Sequence, residues 1–242
     1  MERRLDRLHW KELKKIIPEK INAVILPVGI LEAHAASVLG TDNLIPEHLA
    51  GLVAPKVAAL VAPTIPYGVP GSLEGYPGTI GVRAEVFADY MQDVLHGLAM
   101  TGFQEVFILN GHGGNTESLK DVAQVAFQSS GLYTAVIHWW LEVADITREV
   151  YGGAGGHGGA DETGLMLAID PALALKSGRS VESAFRMRAA VQAYPAPSSL
   201  LVYGDDAAPL SFDAVTARTF LTRVAGRVEE IIEDIQAHWS EI

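Results

Sequence analysis

Cysteine is absent from this 242-residue chain. That excludes a disulfide framework, a thiolate zinc finger, an iron–sulfur cluster and a cysteine nucleophile. Any bound metal is left to His, Asp, Glu or water. Long hydrophobic runs are also missing, since no stretch approaches the roughly 18 apolar residues of a membrane span. The opening residues Met1-Glu2-Arg3-Arg4-Leu5-Asp6 have no apolar core, so no conventional secretory signal is expected and a soluble, cytoplasmic protein is. Positive charge is scarce: 18 Lys and Arg stand against 29 Asp and Glu, a formal net charge of 18 − 29 = −11. Such a field repels polyanions, which argues against a nucleic-acid or anionic-membrane partner and leaves a small molecule as the expected one.

What is present describes a folded enzyme-sized unit. Apolar residues make up 49% and charged residues 19%, a balance that buries a core and is not that of a disordered chain. The length suits one α/β domain, and nothing between residues 1 and 242 reads as an interdomain linker.

Periodicity predicts alternating strands and helices. A short basic amphipathic helix is expected over Leu8–Ile17, ending at Pro18. The apolar run Ala23–Val28 reads as a buried strand. Pro46 is expected to open a helix reaching Leu60, and Val61–Ile65 to form a second strand. After a Gly/Pro-rich excursion over 66–81, a helix is expected at Ala84–Met100, a strand at Glu105–Leu109, and a helix after Asn115 reaching Ser130. Tyr133–His138 reads as the next strand, Asp161–Ile169 as a helix, and Ala214–Trp239 as a long closing helix. Residues 177–210 give a mixed signal. The alternation favours parallel βαβ units with helices on both faces of the sheet.

Ligands of such sheets bind beyond the carboxyl ends of the strands, and the polar residues cluster there. Glu32, His34 and Asp42 follow the first strand. Asn110, His112 and Asn115 follow the third. His157, Asp161 and Glu162 lie across a second glycine-rich loop, 152–159. Three loops thus offer imidazoles and carboxylates, a donor set suited to zinc, manganese or ferrous iron. Glu32 and His34, two apart in an extended segment, face one side. Asp42 is able to bridge two cations, and Glu32, Asp42 and Glu162 offset their charge. Such a paired centre activates a water and polarises a carbonyl.

Other readings stay open on the residues alone. Glu32-Ala-His34 is equally compatible with chance surface placement. Asn110-Gly-His-Gly-Gly-Asn115 is also compatible with a phosphate cradle at a helix start, though it lacks the lysine of a P-loop. His9, His48, His96 and His238 sit on helices without polar company and read as structural or solvated, while His138, at a strand end, fits either role.

Four segments resemble the creatininase (creatinine amidohydrolase) family, in order and over about Val24 to Pro171. They are Leu26-Pro-Val-Gly-Ile-Leu-Glu32-Ala-His34 with Gly40-Thr41-Asp42; Pro66-Tyr67-Gly68 with Tyr76-Pro77-Gly78-Thr79-Ile80; Gly102-Phe103 through Asn110-Gly-His-Gly-Gly-Asn115; and Gly156-His157-Gly-Gly-Ala-Asp-Glu162-Thr163-Gly164. The resemblance implies a three-layer α/β/α sandwich with a mainly parallel central sheet, two divalent metal ions (zinc or manganese, with iron an alternative), and hydrolysis of C–N bonds in cyclic or formyl amides. It makes Glu32, His34, Asp42, His112 and Glu162 metal ligands and His157 the residue that passes a proton to the leaving nitrogen. It places Ser72, Tyr76, Trp139 and Trp140 along the substrate, and it implies a homo-oligomer, commonly a hexamer.

This chain also departs from the pattern. Ser37 stands where the family has a second histidine. Gly114 and Gly156 stand where creatininase itself has acidic residues. These changes imply a substrate other than creatinine. Hydrolytic opening of a cyclic polyol ketone at a C–C bond, with acidic loop residues such as Asp205 and Asp206 nearby, is the alternative chemistry. An inactive metal-binding relative is the alternative class, disfavoured because a decaying site would leave carboxylates buried without partners.

Overall fold

The structure, a computed structural model, describes residues 1–34, 36–153, 155–174, 185–188, 191–198, 201–203 and 213–242. In chain order the helices are α1 (Trp10–Leu13), α2 (Thr41–Val53), α3 (Ala84–Thr101), α4 (Thr116–Ser130), α5 (Trp139–Glu142), α6 (Ala144–Tyr151), α7 (Ala160–Ile169) and α8 (Ala214–Trp239). The strands β1 (Ala23–Val28), β2 (Ala59–Val61), β3 (Glu105–Asn110) and β4 (Tyr133–His138) form a parallel sheet in the order β2-β1-β3-β4. Two short strands, β5 (Phe185–Met187) and β6 (Leu201–Tyr203), pair in parallel by themselves. They fall inside the stretch 177–210 that gave a mixed signal. Asp205 and Asp206 lie outside the described residues.

The apolar runs in β1 and β3 exist because both faces of the sheet are covered. Along β1 the pleat sends Ala23 and Ile25 into one core, and Val24, Leu26 and Val28 into the other. β3 divides likewise, Phe107 and Leu109 against Val106 and Ile108. The first core is closed by α2, α7 and α8, through residues such as Leu49, Met166 and Phe220. The second is closed by α3, α4 and the N-terminal segment, through Phe87, Met91, Leu119 and Ile17. Helices thus cover both faces of a parallel sheet, as the alternation of elements predicts, in the α/β/α sandwich that the resemblance implies. Among the described residues no helix is long and apolar enough to cross a membrane.

Three boundaries differ from expectation. The helix expected over Leu8–Ile17 shrinks to α1, capped by His9, whose ring accepts the Lys11 amide, and passes into turns. α2 starts at Thr41 and ends at Val53, with Pro46 inside it instead of at its start. Burial of Thr41, Asp42 and Asn43 outweighs the proline's preference for a first turn. β2 sits at Ala59–Val61 instead of Val61–Ile65, because Pro63 has no amide to continue the ladder; Ile65 keeps a single bridge to Val28.

The strand order sets the site. β1 leads through α2 to β2 on one side, and β3 lies on the other side of β1. Connections therefore leave the carboxyl ends of β1 and β3 in opposite directions and open a crevice between them. At the far end of the sheet α8 is fastened down. Gln236 Nε2 donates to Glu105 Oε2 at 2.8 Å, and the Trp239 ring packs on Phe107 and Tyr133 at 5.4 and 5.3 Å between centroids.

Candidate metal centre

All six residues singled out for metal and proton chemistry meet in that crevice. Glu32 and His34 follow β1, and His112 follows β3. Glu162 comes from the first turn of α7, the helix expected from Asp161, while Asp42 comes from the first turn of α2 instead of the loop expected before Pro46. Helix starts favour carboxylates, because their free amides present positive partial charge. Glu32, His34, Asp42, His112 and Glu162 are buried, while the His157 side chain keeps 13% exposure toward the cavity.

Two glycines let Asp42 reach this place. A Cβ on Gly29 or on Gly111, at the ends of β1 and β3, would fall far inside van der Waals contact with the Asp42 carbonyl oxygen. The start of α2 thus rests directly on the two strand ends.

The rings and carboxylates interlock at short range. His112 Nδ1 lies 3.2 Å from Glu32 Oε1 and 3.1 Å from Asp42 Oδ2. His34 Nε2 lies 3.0 Å from Asp42 Oδ1 and 3.5 Å from Glu162 Oε2. His157 Nδ1 is 3.1 Å from Glu32 Oε1, and its ring packs on that of His34 at 4.4 Å between centroids. Each ring is held from behind by the main chain. His34 Nδ1 meets Glu32 O at 3.0 Å, His112 Nε2 meets Val69 O at 3.0 Å, and His157 Nε2 meets Ala33 O at 2.8 Å. A carbonyl only accepts, so those nitrogens carry the hydrogens. The opposite nitrogens of neutral rings are lone pairs aimed at carboxylate oxygens. Acceptor facing acceptor at these distances demands positive charge between them, whether protons or cations.

Without cations, protons take that place. Burial disfavours the His34 imidazolium, yet the carboxylates of Asp42 and Glu162 outweigh it and raise the ring to about 10. His112 is likewise raised against burial, by Glu32 and Asp42. Burial also works against the Glu32 and Asp42 carboxylates, and the histidines beside them hold both below their ordinary values. Glu162 behaves differently: burial, aided by Asp42, pushes it up to about 8 despite His34.

The donor sets fit cations in two groups, Glu32 with Asp42 and His112, and His34 with Asp42 and Glu162, sharing Asp42. Glu32, His34 and His157 form a third close group. Gly114 offers no donor and leaves room behind His112. A Cβ at that position would overlap His112 Nε2 and the Val69 carbonyl, so the glycine is part of the pin behind His112.

A cavity of about 470 Å³ opens onto Glu32, Asp42, His112, His157 and Glu162. Of the residues expected along the substrate, Ser72 and Trp140 line it. The structure places the other two elsewhere. Trp139 is buried in the first core, and the Tyr76 hydroxyl donates to the Ala196 carbonyl at 2.9 Å. Leu73, Leu141 and Ala144 also line the cavity and were not foreseen; only the 62% exposure of an apolar Leu141 beside the tryptophan pair marks it out. Asp161 takes no place in the lining; its carboxylate accepts the Gly156 amide at 3.1 Å and so braces the turn that carries His157.

Known proteins resemble this chain in sequence and in fold. Over 188 residues the chain is 29% identical to creatinine amidohydrolase of Pseudomonas putida, covering 70% of this chain and 72% of that one. It is 31% identical over 170 residues to the mycofactocin precursor peptide peptidase of Mycolicibacterium smegmatis, covering 66% and 62%. A shorter match, 38% over 97 residues, is to the 3-dehydro-scyllo-inosose hydrolase of Thermotoga maritima, and it covers 39% of this chain and 31% of that one. The fold superposes on a crystal structure of creatininase with a TM-score of 0.78, at 23% identity, over 96% of this chain and 97% of that one. The family model for creatinine amidohydrolase matches residues 6–200. With so much of its length inside that match, the chain belongs to the creatininase family and is a hydrolase.

Proposed function

We propose that this hydrolase uses two divalent cations to cleave a C–N bond in a small amide, cyclic or formyl. One observation carries the reading: three rings, each pinned by a backbone carbonyl, aim their remaining nitrogens at three carboxylates. Glu32, Asp42 and His112 would hold one ion, and His34, Asp42 and Glu162 the other. Nitrogen and oxygen donors without thiolates suit zinc or manganese, and creatininase structures of Zn–Zn and Mn types support that choice. Bound there, the ions supply Lewis acidity toward the carbonyl and lower the pKa of water.

The chain itself moves the proton. Nε2 of His157 is committed to the Ala33 carbonyl, so Nδ1, facing Glu32 and the cavity, is the nitrogen free to exchange. As water attacks the carbonyl carbon, His157 takes the proton released. It returns that proton to the departing nitrogen as the C–N bond breaks. Leu73, Trp140 and Leu141 form an apolar wall over this step.

The match to an inosose hydrolase favours a second reading, opening of a cyclic polyol ketone at a C–C bond by the same residues. Protein stripped with chelator and reloaded with zinc or manganese decides between them. It is screened against cyclic amides, formamides, short peptides and cyclic polyol ketones. Amide turnover that returns with metal is the expected result. Turnover of ketones alone overturns the amide reading, and protein that takes up no stoichiometric metal overturns the two-cation centre.

A further inference from the structure

His138 ends β4 and stands directly beside Asn110, which ends β3. Asn110 is fully buried, and its side-chain amide is spoken for on every side. Its oxygen accepts the His112 amide at 3.1 Å and Asn115 Nδ2 at 3.3 Å. Its nitrogen donates to the His112 carbonyl at 2.8 Å and to His138 Nδ1 at 3.0 Å. The orientation of this amide is not free to flip. A main-chain N–H only donates and a main-chain carbonyl only accepts, so the oxygen must face the His112 amide and the nitrogen its carbonyl.

The ring beyond it is therefore fixed too. His138 Nδ1 faces an NH₂ group and must offer a lone pair, which puts the ring hydrogen on Nε2. Burial holds this imidazole below its ordinary value, against the pull of Glu142. On its other side the ring meets Trp140 edge-on, 5.4 Å between centroids, and Trp140 lines the cavity. Further along the same network, Asn115 Oδ1 accepts the Val69 amide at 2.8 Å, and the Val69 carbonyl receives His112 Nε2.

We propose that His138 is a positioning residue: as a neutral Nε2–H ring it locks the Asn110 clamp around both main-chain groups of His112 and braces the Trp140 wall. It belongs to none of the close donor groups and does not line the cavity. Its effect on metal retention rests on the two-cation reading above, whereas its effect on the clamp does not. Groups that bond directly to a metal ligand typically change affinity about 10- to 100-fold when lost, and His138, one contact further back through Asn110, is expected at the low end of that range.

Zinc competition against a chromophoric chelator, with His138→Leu and His138→Asn, tests this. Asparagine can present an oxygen near the place of Nδ1; leucine cannot. The expected result is roughly tenfold weaker zinc retention in His138→Leu, restored in His138→Asn, with both melting near wild type. The second readout uses metal-free protein. ¹⁵N spectra are expected to show the Nε2–H tautomer for His138, and a His112 backbone amide signal displaced by leucine and restored by asparagine. If wild type binds no zinc, the proposed function fails, and the spectra alone decide this inference. An Nδ1–H tautomer in wild type overturns it without any variant. A His138→Leu protein with unchanged zinc affinity and unchanged His112 amide overturns it, as does an asparagine variant no better than leucine.

Discussion

Pro46 stands one helical turn after Asp42 inside α2 and lacks the amide that a helix would direct at the Asp42 carbonyl. That carbonyl is the one resting on Gly29 and Gly111. The proline ring also crowds the turn before it, and at Gly111 its Cγ is among the nearest atoms to an added Cβ, at 3.0 Å. One residue thus frees a carbonyl from the helix ladder, and two glycines make room for it. Gly111→Ala is expected to push Asp42 out of register. Overpacking of this kind costs about 1–3 kcal/mol, so a lower melting temperature should accompany lost metal content. An alanine variant that melts and binds metal like wild type would show that the close approach is dispensable.

Glu162→Gln keeps the shape of the side chain and removes its charge. The His34–Asp42 group then lacks its second carboxylate, while Glu32, Asp42 and His112 are untouched. Elemental analysis is expected to find about one cation per chain in place of two, with hydrolysis lost. Two retained cations would mean that Glu162 is not a ligand.

His157→Gln is expected to separate binding from turnover. The side chain is the most exposed of the three rings. Losing a general acid–base group typically costs about 10²- to 10⁴-fold in rate. Metal content should stay near wild type while kcat falls. A parallel loss of one cation would instead place His157 among the ligands, as the third close group allows.

Removing the cations should give the fold a pH dependence. His34 is raised to about 10 from an ordinary 6.5, and Glu162 to about 8 from 4.5. Groups raised on folding stabilise below their unfolded values and lose that contribution as pH rises through the folded ones. Chelated protein is therefore expected to weaken between about 4.5 and 8 through Glu162 and between about 6.5 and 10 through His34, His112 adding to the trend. Glu32 and Asp42, held low, act in the opposite sense and fail only in acid. Denaturant midpoints across this window, with and without chelator, provide the check. Reloaded protein should show a flatter profile; identical profiles would exclude cation–proton exchange at these residues.

Gly226 lies inside α8, where a Cβ meets nothing within 4 Å. Gly226→Ala should raise stability by about 0.5–1 kcal/mol and leave turnover unchanged. A thermal melt beside an activity assay measures both.

The fold was most legible where burial writes a pattern. β1 and α8 lie at the residues expected, because a two-sided apolar run and a long helical stripe leave few alternatives; β4 does so too, though only Ile137 in it is buried. The start of α2 was not legible. Gly40 offers no side-chain cap and Pro46 suggests a later beginning, whereas packing against Gly29 and Gly111 fixes the actual one. At the site, the six acidic and imidazole side chains were visible as chemistry waiting beyond strand ends. The carbonyls of Glu32, Ala33 and Val69 that set the ring tautomers were not, since main-chain atoms look alike in every residue. Nor does sequence tell which of two adjacent tryptophans faces the cavity. That depends on where α5 begins its first turn, which buries Trp139 and leaves Trp140 at the wall.

The anchoring of α8 at Glu105, Phe107 and Tyr133 gives the molecule two poles. Gln236 and Trp239 hold the amino ends of β3 and β4, the ends turned away from the reacting groups. Damage at that pole should shorten the protein's lifetime while each surviving molecule works at full speed. Damage at the other should yield durable molecules that do nothing. Evolution, or an engineer, can therefore tune endurance at one end of the sheet without renegotiating the chemistry at the other.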